Sequence, residues 1–155
     1  MKISLLHLPT LSLIYLLATA PSQYSYAGNI EPVPDFSTRP SLYLRLGGEV
    51  AVRQIVAETL GAVSTDLRTR RTFEKVDMKR LQAKIVEHIC ALTDGDCKYT
   101  GDTMKQTHAG MNITEAEFYL MVEALRSSLD RHVGEREKNE LLKILAPMKR
   151  DIVGG

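Results

Sequence analysis

The 155-residue sequence has no tryptophan, only three phenylalanines and two cysteines, and almost no net charge. Each shortage excludes something. Cys90 and Cys97 bracket the six residues "ALTDGD", so the closely spaced Cys-x-x-Cys pair of thioredoxin-like chemistry is missing. No Cys-x-x-Cys-His occurs either, which removes covalent attachment of a c-type haem. The 20 Lys and Arg stand against 19 Asp and Glu, a formal charge of +1. No basic excess is left to hold a polyanion, so nucleic acid drops out as a partner. There is no internal repeat and no low-complexity stretch. No segment alternates apolar and polar with the period of a strand.

What is present begins at the N-terminus, with "MKISLLHLPTLSLIYLLATAPSQYSYAG". Lys2 gives a positive start, and Ile3 to Ala20 is mostly apolar with no acid. Ser25 and Ala27 place small residues where a signal peptidase reads. Residues 1–27 are therefore expected to be a secretory signal peptide, cut after Ala27. Cleavage after Ala20 is disfavoured because Pro21 follows. The alternative is an uncleaved anchor, but Pro9, His7 and the Ser and Thr residues weaken a spanning helix, which needs about 20 strongly apolar residues. The expected location is the periplasm, with no membrane attachment after cleavage. In such a compartment Cys90 and Cys97 are candidates for a disulfide, and two free thiols remain the alternative because short loops gain little and geometry can forbid the bond. Residues 28–40, with three prolines, read as an arm or linker. Residues 41–155 are left as one domain.

That domain reads as all-α. A short helix from about Ser41 ends at Gly47-Gly48. A second runs from about Glu49 to Val63, with Val52, Ile55, Val56, Thr59, Leu60 and Val63 on one stripe. Asp77 is a good N-cap for a third, whose inner face is expected to hold Met78, Leu81, Ile85, His88, Ile89 and Leu92. Thr114 opens another as a capping box with Glu117, and Phe118, Met121, Val122, Leu125 and Leu129 form its apolar face. The last starts near Glu135 and buries Leu141, Ile144, Leu145, Met148 and Ile152, with Pro147 expected to kink or break it. Between Cys97 and Asn112 lies a long loop-like connection with a turn or two of helix. Compact helical folds seldom carry so long a loop without a use for it.

Met104 and His108 sit in that turn, four apart and so on one helix face. By spacing alone, a lone histidine is a surface or capping residue. Here it is bracketed by helices whose inner faces are rich in Leu, Ile, Met and Phe. That setting suggests a planar apolar cofactor with one axial nitrogen ligand. Phe73 adds to it: a large apolar side chain among Arg and Thr needs something to pack on.

Residues Ser41 to Val153 resemble the truncated haemoglobins, group I in particular. The landmarks are "LYLRLGG" at 42–48, Phe73 before "DMKRL", "YTGDTMKQTHAGMNIT" at 99–114, Phe118 and "LAPMKRDIV" at 145–153. The missing tryptophan fits, since groups II and III usually carry one on the helix that starts at Thr114. The resemblance implies a truncated globin, a two-over-two helical sandwich, with non-covalent haem b as cofactor. It implies that His108 ligates the iron through Nε2. Met104 and Phe118 would pack on the proximal side, with Ile113 and Met121 lining that pocket. Phe73 would pack against the macrocycle. Lys84 falls where the family often places a cation near a propionate, and where some members supply a sixth ligand.

One departure concerns the other face. Many members carry a tyrosine and a glutamine there; the corresponding positions read Leu60 and Ile85, with Leu81 between them. Thr59 is the one neighbouring hydroxyl, and its direction is open. A distal face of Thr59, Leu60, Leu81 and Ile85 implies weak, readily reversible oxygen binding. Carbon monoxide and nitric oxide depend less on a donor. The expected function is reversible binding of a diatomic gas. Haem-dependent peroxidase or nitric oxide dioxygenase activity, electron transfer with a redox partner, or a helical adaptor without haem are the rivals. His88 is expected to be a packed or rim histidine, His132 to cap a helix end, and "DLRTRR" at 66–71 to be a solvated loop with an Arg available to a propionate or an anionic partner.

Overall fold

The structure, a computed structural model, describes residues 39–154. The expected signal peptide and nearly all of the expected arm lie outside the described residues. Within them every regular element is helical: α1 (Leu42–Arg45), α2 (Gly48–Thr65), α3 (Met78–Leu92), α4 (Met104–His108), α5 (Glu115–His132), α6 (Glu135–Leu145) and α7 (Lys149–Ile152). Short 3-10 turns occupy Arg70–Thr72 and Ala146–Met148.

The Ser41 hydroxyl accepts the Leu44 N–H at 3.3 Å and starts α1. Gly47 ends it with φ +94°, and a Cβ there would lie 2.6 Å from the Ala51 Cβ. Both the backbone angle and the space require glycine. All six residues of the stripe expected on α2 are buried. This helix packs against α3 and against α5, while α6 packs against α5 and α1. The pairs α2–α3 and α5–α6 make the two layers. Leu129 on α5 and Leu141 on α6, 0% and 1% exposed, close the core between them.

Polar ties set how the layers meet. Arg45 of α1 reaches Glu137 and Glu140 of α6 at 2.9 and 2.8 Å. Glu58 of α2 takes Arg131, His132 and Ser128 of α5 at 2.7, 2.9 and 3.0 Å. Led by the Arg131 and His132 hydrogen bonds, these partners lower the Glu58 carboxyl to about 2. His132 thus bridges two helices rather than only capping the end of its own.

Two apolar faces are wider than their contacts. On α3, Val86, Ile89 and Cys90 are buried. Of the inner face expected for α3, only Ile89 is among them. Met78, Leu81, Ile85, His88 and Leu92 are half-buried, along a line one step around the helix. On α5, Leu129 is buried while Phe118, Met121, Val122 and Leu125 are half-buried. Each helix gives one sector to its neighbour and keeps a second apolar sector only partly covered by protein.

Pro147 acts as expected. It has no N–H to donate, so α6 stops at Leu145 and the chain passes through the 3-10 turn into α7. No helix among the described residues is long and apolar enough to cross a membrane.

Leu129→Ala should cost about 2–5 kcal/mol in urea unfolding, while Leu67→Ala, 76% exposed, should stay within about 0.5 kcal/mol. Equal losses at the two positions would contradict the core described.

Candidate functional site

The candidate residues come from six segments. Thr59 and Leu60 are buried on α2, 5% and 4% exposed. Phe73 follows the first 3-10 turn. Leu81, Lys84 and Ile85 are on α3, Met104 and His108 on α4, and Phe118 and Met121 on α5. Ile113 is buried in the link between α4 and α5. Phe73, Leu81, Ile85 and Met121 are half-buried and pack against the cluster that contains Leu60. Met104 and Phe118 are half-buried outside that cluster.

Helix α4 has five residues, with a capping box: the Thr103 hydroxyl accepts the Gln106 N–H at 3.2 Å, and the Gln106 carbonyl oxygen accepts the Thr103 N–H at 3.1 Å. Within it the His108 ring turns Nδ1 to the Met104 carbonyl at 2.8 Å. A carbonyl only accepts, so Nδ1 carries the hydrogen. In the neutral ring Nε2 then keeps its lone pair, which is the form that ligates a metal.

Supports lie beyond both ends of α4. On the C-terminal side, Gly110 and Asn112 turn the chain with φ +74° and +49°. The Gly154 N–H then donates to the Ile113 carbonyl at 3.0 Å, and Ile113 pairs with Val153. Arg71 binds the same link: its guanidinium donates to the carbonyls of Met111 and Asn112 at 3.2 and 3.0 Å and to both Glu117 oxygens at 2.6 and 2.7 Å. Arg71, and next the Thr114 N–H and hydroxyl, hold the Glu117 carboxyl down at about 2 against the cost of burial. On the N-terminal side, Cys90 and Cys97 are joined in a disulfide with Cα atoms 5.7 Å apart. A side chain on Gly95 would come within 2.5 Å of the Cys90 sulfur.

The expected solvated loop at 66–71 is thus divided. Arg68 folds back on Asp66 at 2.6 Å, whereas Arg71 is the main grip on the α4–α5 link. No local pattern announces that role, because its partners are 40 to 46 residues away. Two open concavities flank Arg71, one of about 560 Å³ lined by residues that include Tyr119 and Glu123, the other of about 320 Å³ reaching Lys75 and Gly110. Neither includes His108.

Other polar side chains are committed elsewhere. The Thr59 hydroxyl donates to the Ile55 carbonyl of its own helix at 2.8 Å. Gln82 donates to the Arg53 carbonyl at 3.1 Å. Lys84 pairs with Glu87 at 2.7 Å and with the Thr100 hydroxyl. His88 stacks on Tyr99, ring centres 4.4 Å apart, and burial lowers its pKa.

A planar apolar metal complex fits this set. It asks for uncovered apolar side chains on helices that share a packing partner, as α3 and α5 share α2, and one nitrogen with a free lone pair. Met78, Leu81 and Ile85 on α3 and Phe118, Met121 and Leu125 on α5 supply the first, each at steps of three and four residues. His108 supplies the second.

Residues 41–153 match the bacterial-like globin family. The chain is 34% identical over 116 residues to a group 1 truncated hemoglobin, GlbN, of Mycolicibacterium paratuberculosis, covering 74% of this chain and 85% of that protein. Among solved structures, the truncated hemoglobin of Tetrahymena pyriformis in its Fe(III) form superposes with a TM-score of 0.71 at 27% identity, covering 75% of this chain and all of that one. The 2/2 hemoglobin of Synechococcus sp. PCC 7002, in the cyanomet state with covalently attached heme, has a TM-score of 0.69 at 24% identity, over 75% of this chain and all of that one, and supports the fold alone.

The Arg71–Glu117 pair makes stability depend on pH. The folded Glu117 value, about 2, lies below its ordinary 4.5. The pair's contribution is therefore complete above about 4.5 and is lost as pH falls toward 2. Unfolding free energy measured across that window should fall less steeply in Glu117→Gln than in wild type. An unchanged slope would deny the pairing.

Proposed function

The chain belongs to the bacterial-like globins, as a group 1 truncated haemoglobin, and we propose that it holds haem b without a covalent link, with His108 as axial ligand, and binds a diatomic gas reversibly. The family implies the haem cofactor. The observation that supports the finer reading is the His108 ring: Nδ1 is spent on the Met104 carbonyl at 2.8 Å, which leaves the Nε2 lone pair available to a metal. When bound, haem would supply an iron centre able to take a small ligand, with His108 among the residues that hold it.

The protein's share is to hold, to exclude water and to withhold a donor. Met104, Phe118, Met121 and Ile113 would pack on the histidine's side, with Phe73 against the ring. Leu60, Leu81 and Ile85 carry no N–H or O–H on their side chains, and the Thr59 proton is committed to Ile55. A ligand that draws negative charge gains on the order of 1.5–3 kcal/mol from a donor. Without one, oxygen loses about tenfold to hundredfold in affinity, while carbon monoxide and nitric oxide lose little. The same residues offer no acid–base group for peroxide cleavage, so reversible binding is favoured over peroxidase chemistry.

Export, to the periplasm, is part of the proposal. It rests on the signal-peptide pattern of residues 1–27 and is supported by the Cys90–Cys97 disulfide, a bond typical of oxidising compartments.

Absorption spectra of the ferric, ferrous and ferrous-carbonyl forms test haem binding, and a protein that gives no Soret band after reconstitution would refute it. Stopped-flow dissociation tests the distal face. Leu60→Tyr should slow oxygen release about tenfold to hundredfold and change carbon monoxide release only a few-fold. Equal effects on both gases would contradict a missing donor.

A further inference from the structure

The eleven residues between α3 and α4 have no regular structure, yet beyond the helix-end bonds of Thr93 and Gly95 three more of them are fastened to α3. Cys97 is bonded to Cys90. Tyr99 stacks on His88. Thr100 is held twice: its N–H donates to Glu87, and its hydroxyl meets Lys84 Nζ, which is itself paired with Glu87 at 2.7 Å. Every one of these fastening points on α3 lies in its last three turns. Thr103, the cap of α4, is only three residues past Thr100, so little slack separates the fastened point from the helix that carries His108.

We propose that Glu87 is a positioning residue for the His108 turn, acting through Thr100, and that the Cys90–Cys97 disulfide makes this positioning depend on redox state. Its bearing on haem rests on the reading of His108 as axial ligand. Glu87 joins all the polar members of the clasp, because it accepts from both Lys84 and Thr100. Lys84 is thereby a member of the clasp and not a free cation. The disulfide is the one covalent member, and Cys97 is exposed while Cys90 is 1% exposed. A dithiol therefore meets the bond at the Cys97 sulfur. It passes two electrons and two protons to Cys90 and Cys97, which become thiols, and closes to its own disulfide. With that link open, Tyr99 and Thr100 are held by a ring stack and hydrogen bonds alone, and the α4 turn samples open states more often.

The full chain is tested in two forms. In the apoprotein, amide hydrogen exchange is followed with and without dithiothreitol, and in Glu87→Gln and Cys97→Ala. Each change should raise exchange across residues 99–108 by roughly two- to tenfold, the scale of one lost hydrogen bond, and leave the buried amides of α2 unaltered. Unchanged exchange at 99–108, or a rise of equal size in α2, overturns the proposal. In the haem-loaded protein, reduction and Glu87→Gln should speed haem transfer to excess apomyoglobin by a similar factor and broaden the ferrous iron–imidazole stretching band. An unaltered transfer rate and band also overturn it. His108→Ala separates the two readings. If that variant keeps haem with the wild-type spectrum, the ligand assignment falls, and exchange in the apoprotein still judges the clasp by itself.

Discussion

A helix of five residues makes too few internal hydrogen bonds to hold itself in water, and α4, which carries His108, has five. The structure around it is best understood as a frame that supplies what so short a helix lacks. On one side the disulfide, the His88–Tyr99 stack and the Glu87 contacts bring the loop to α3. On the other, Arg71, the Ile113–Val153 pairing and α7 fix the way out. Within the turn, one hydrogen bond from Nδ1 orients the ring. A histidine on a long helix would be oriented by its neighbours along the chain. Here Met104 orients the ring from within the turn, while residues as remote as Arg71 and Val153 hold the chain that leaves it.

The same economy explains the two uncovered apolar sectors. A core that used every apolar face of α3 and α5 against protein would be more stable alone and would have nothing to offer a flat hydrophobic group. Instead Val86, Ile89 and Leu129 close the core, and the neighbouring lines stay half-buried. Polar ties such as Glu58 with its α5 partners and Arg45 with α6 hold the layers in register without drawing on those faces. Stability and binding surface are thus supplied by different residues of the same helices.

Much of this was legible along the chain. The stripe on α2, the Asp77 and Thr114 caps, the break at Pro147 and the turn holding Met104 and His108 all follow from local rules of period, capping and backbone geometry. The family landmarks then pointed to a truncated globin, as the comparisons bear out. Periodicity alone did not separate the buried line on α3 from the half-buried one, because a hydrophobic stripe says which side faces inward but not how far the neighbour reaches. Arg71 reads as one more loop arginine, since its partners are remote in sequence. His132 looks like a helix cap until Glu58 is brought to it by packing. The direction of the Thr59 hydroxyl was open until the Ile55 carbonyl was seen to take it.

Haem binding as proposed depends on one bond, from the imidazole of α4 to the iron. The most direct measurement is the ferrous-carbonyl absorption spectrum of haem-reconstituted His108→Gly, taken before and after adding free imidazole to fill the space. The wild-type band should be lost in the variant and return with imidazole. A variant that keeps the wild-type band with no imidazole present would contradict that bond.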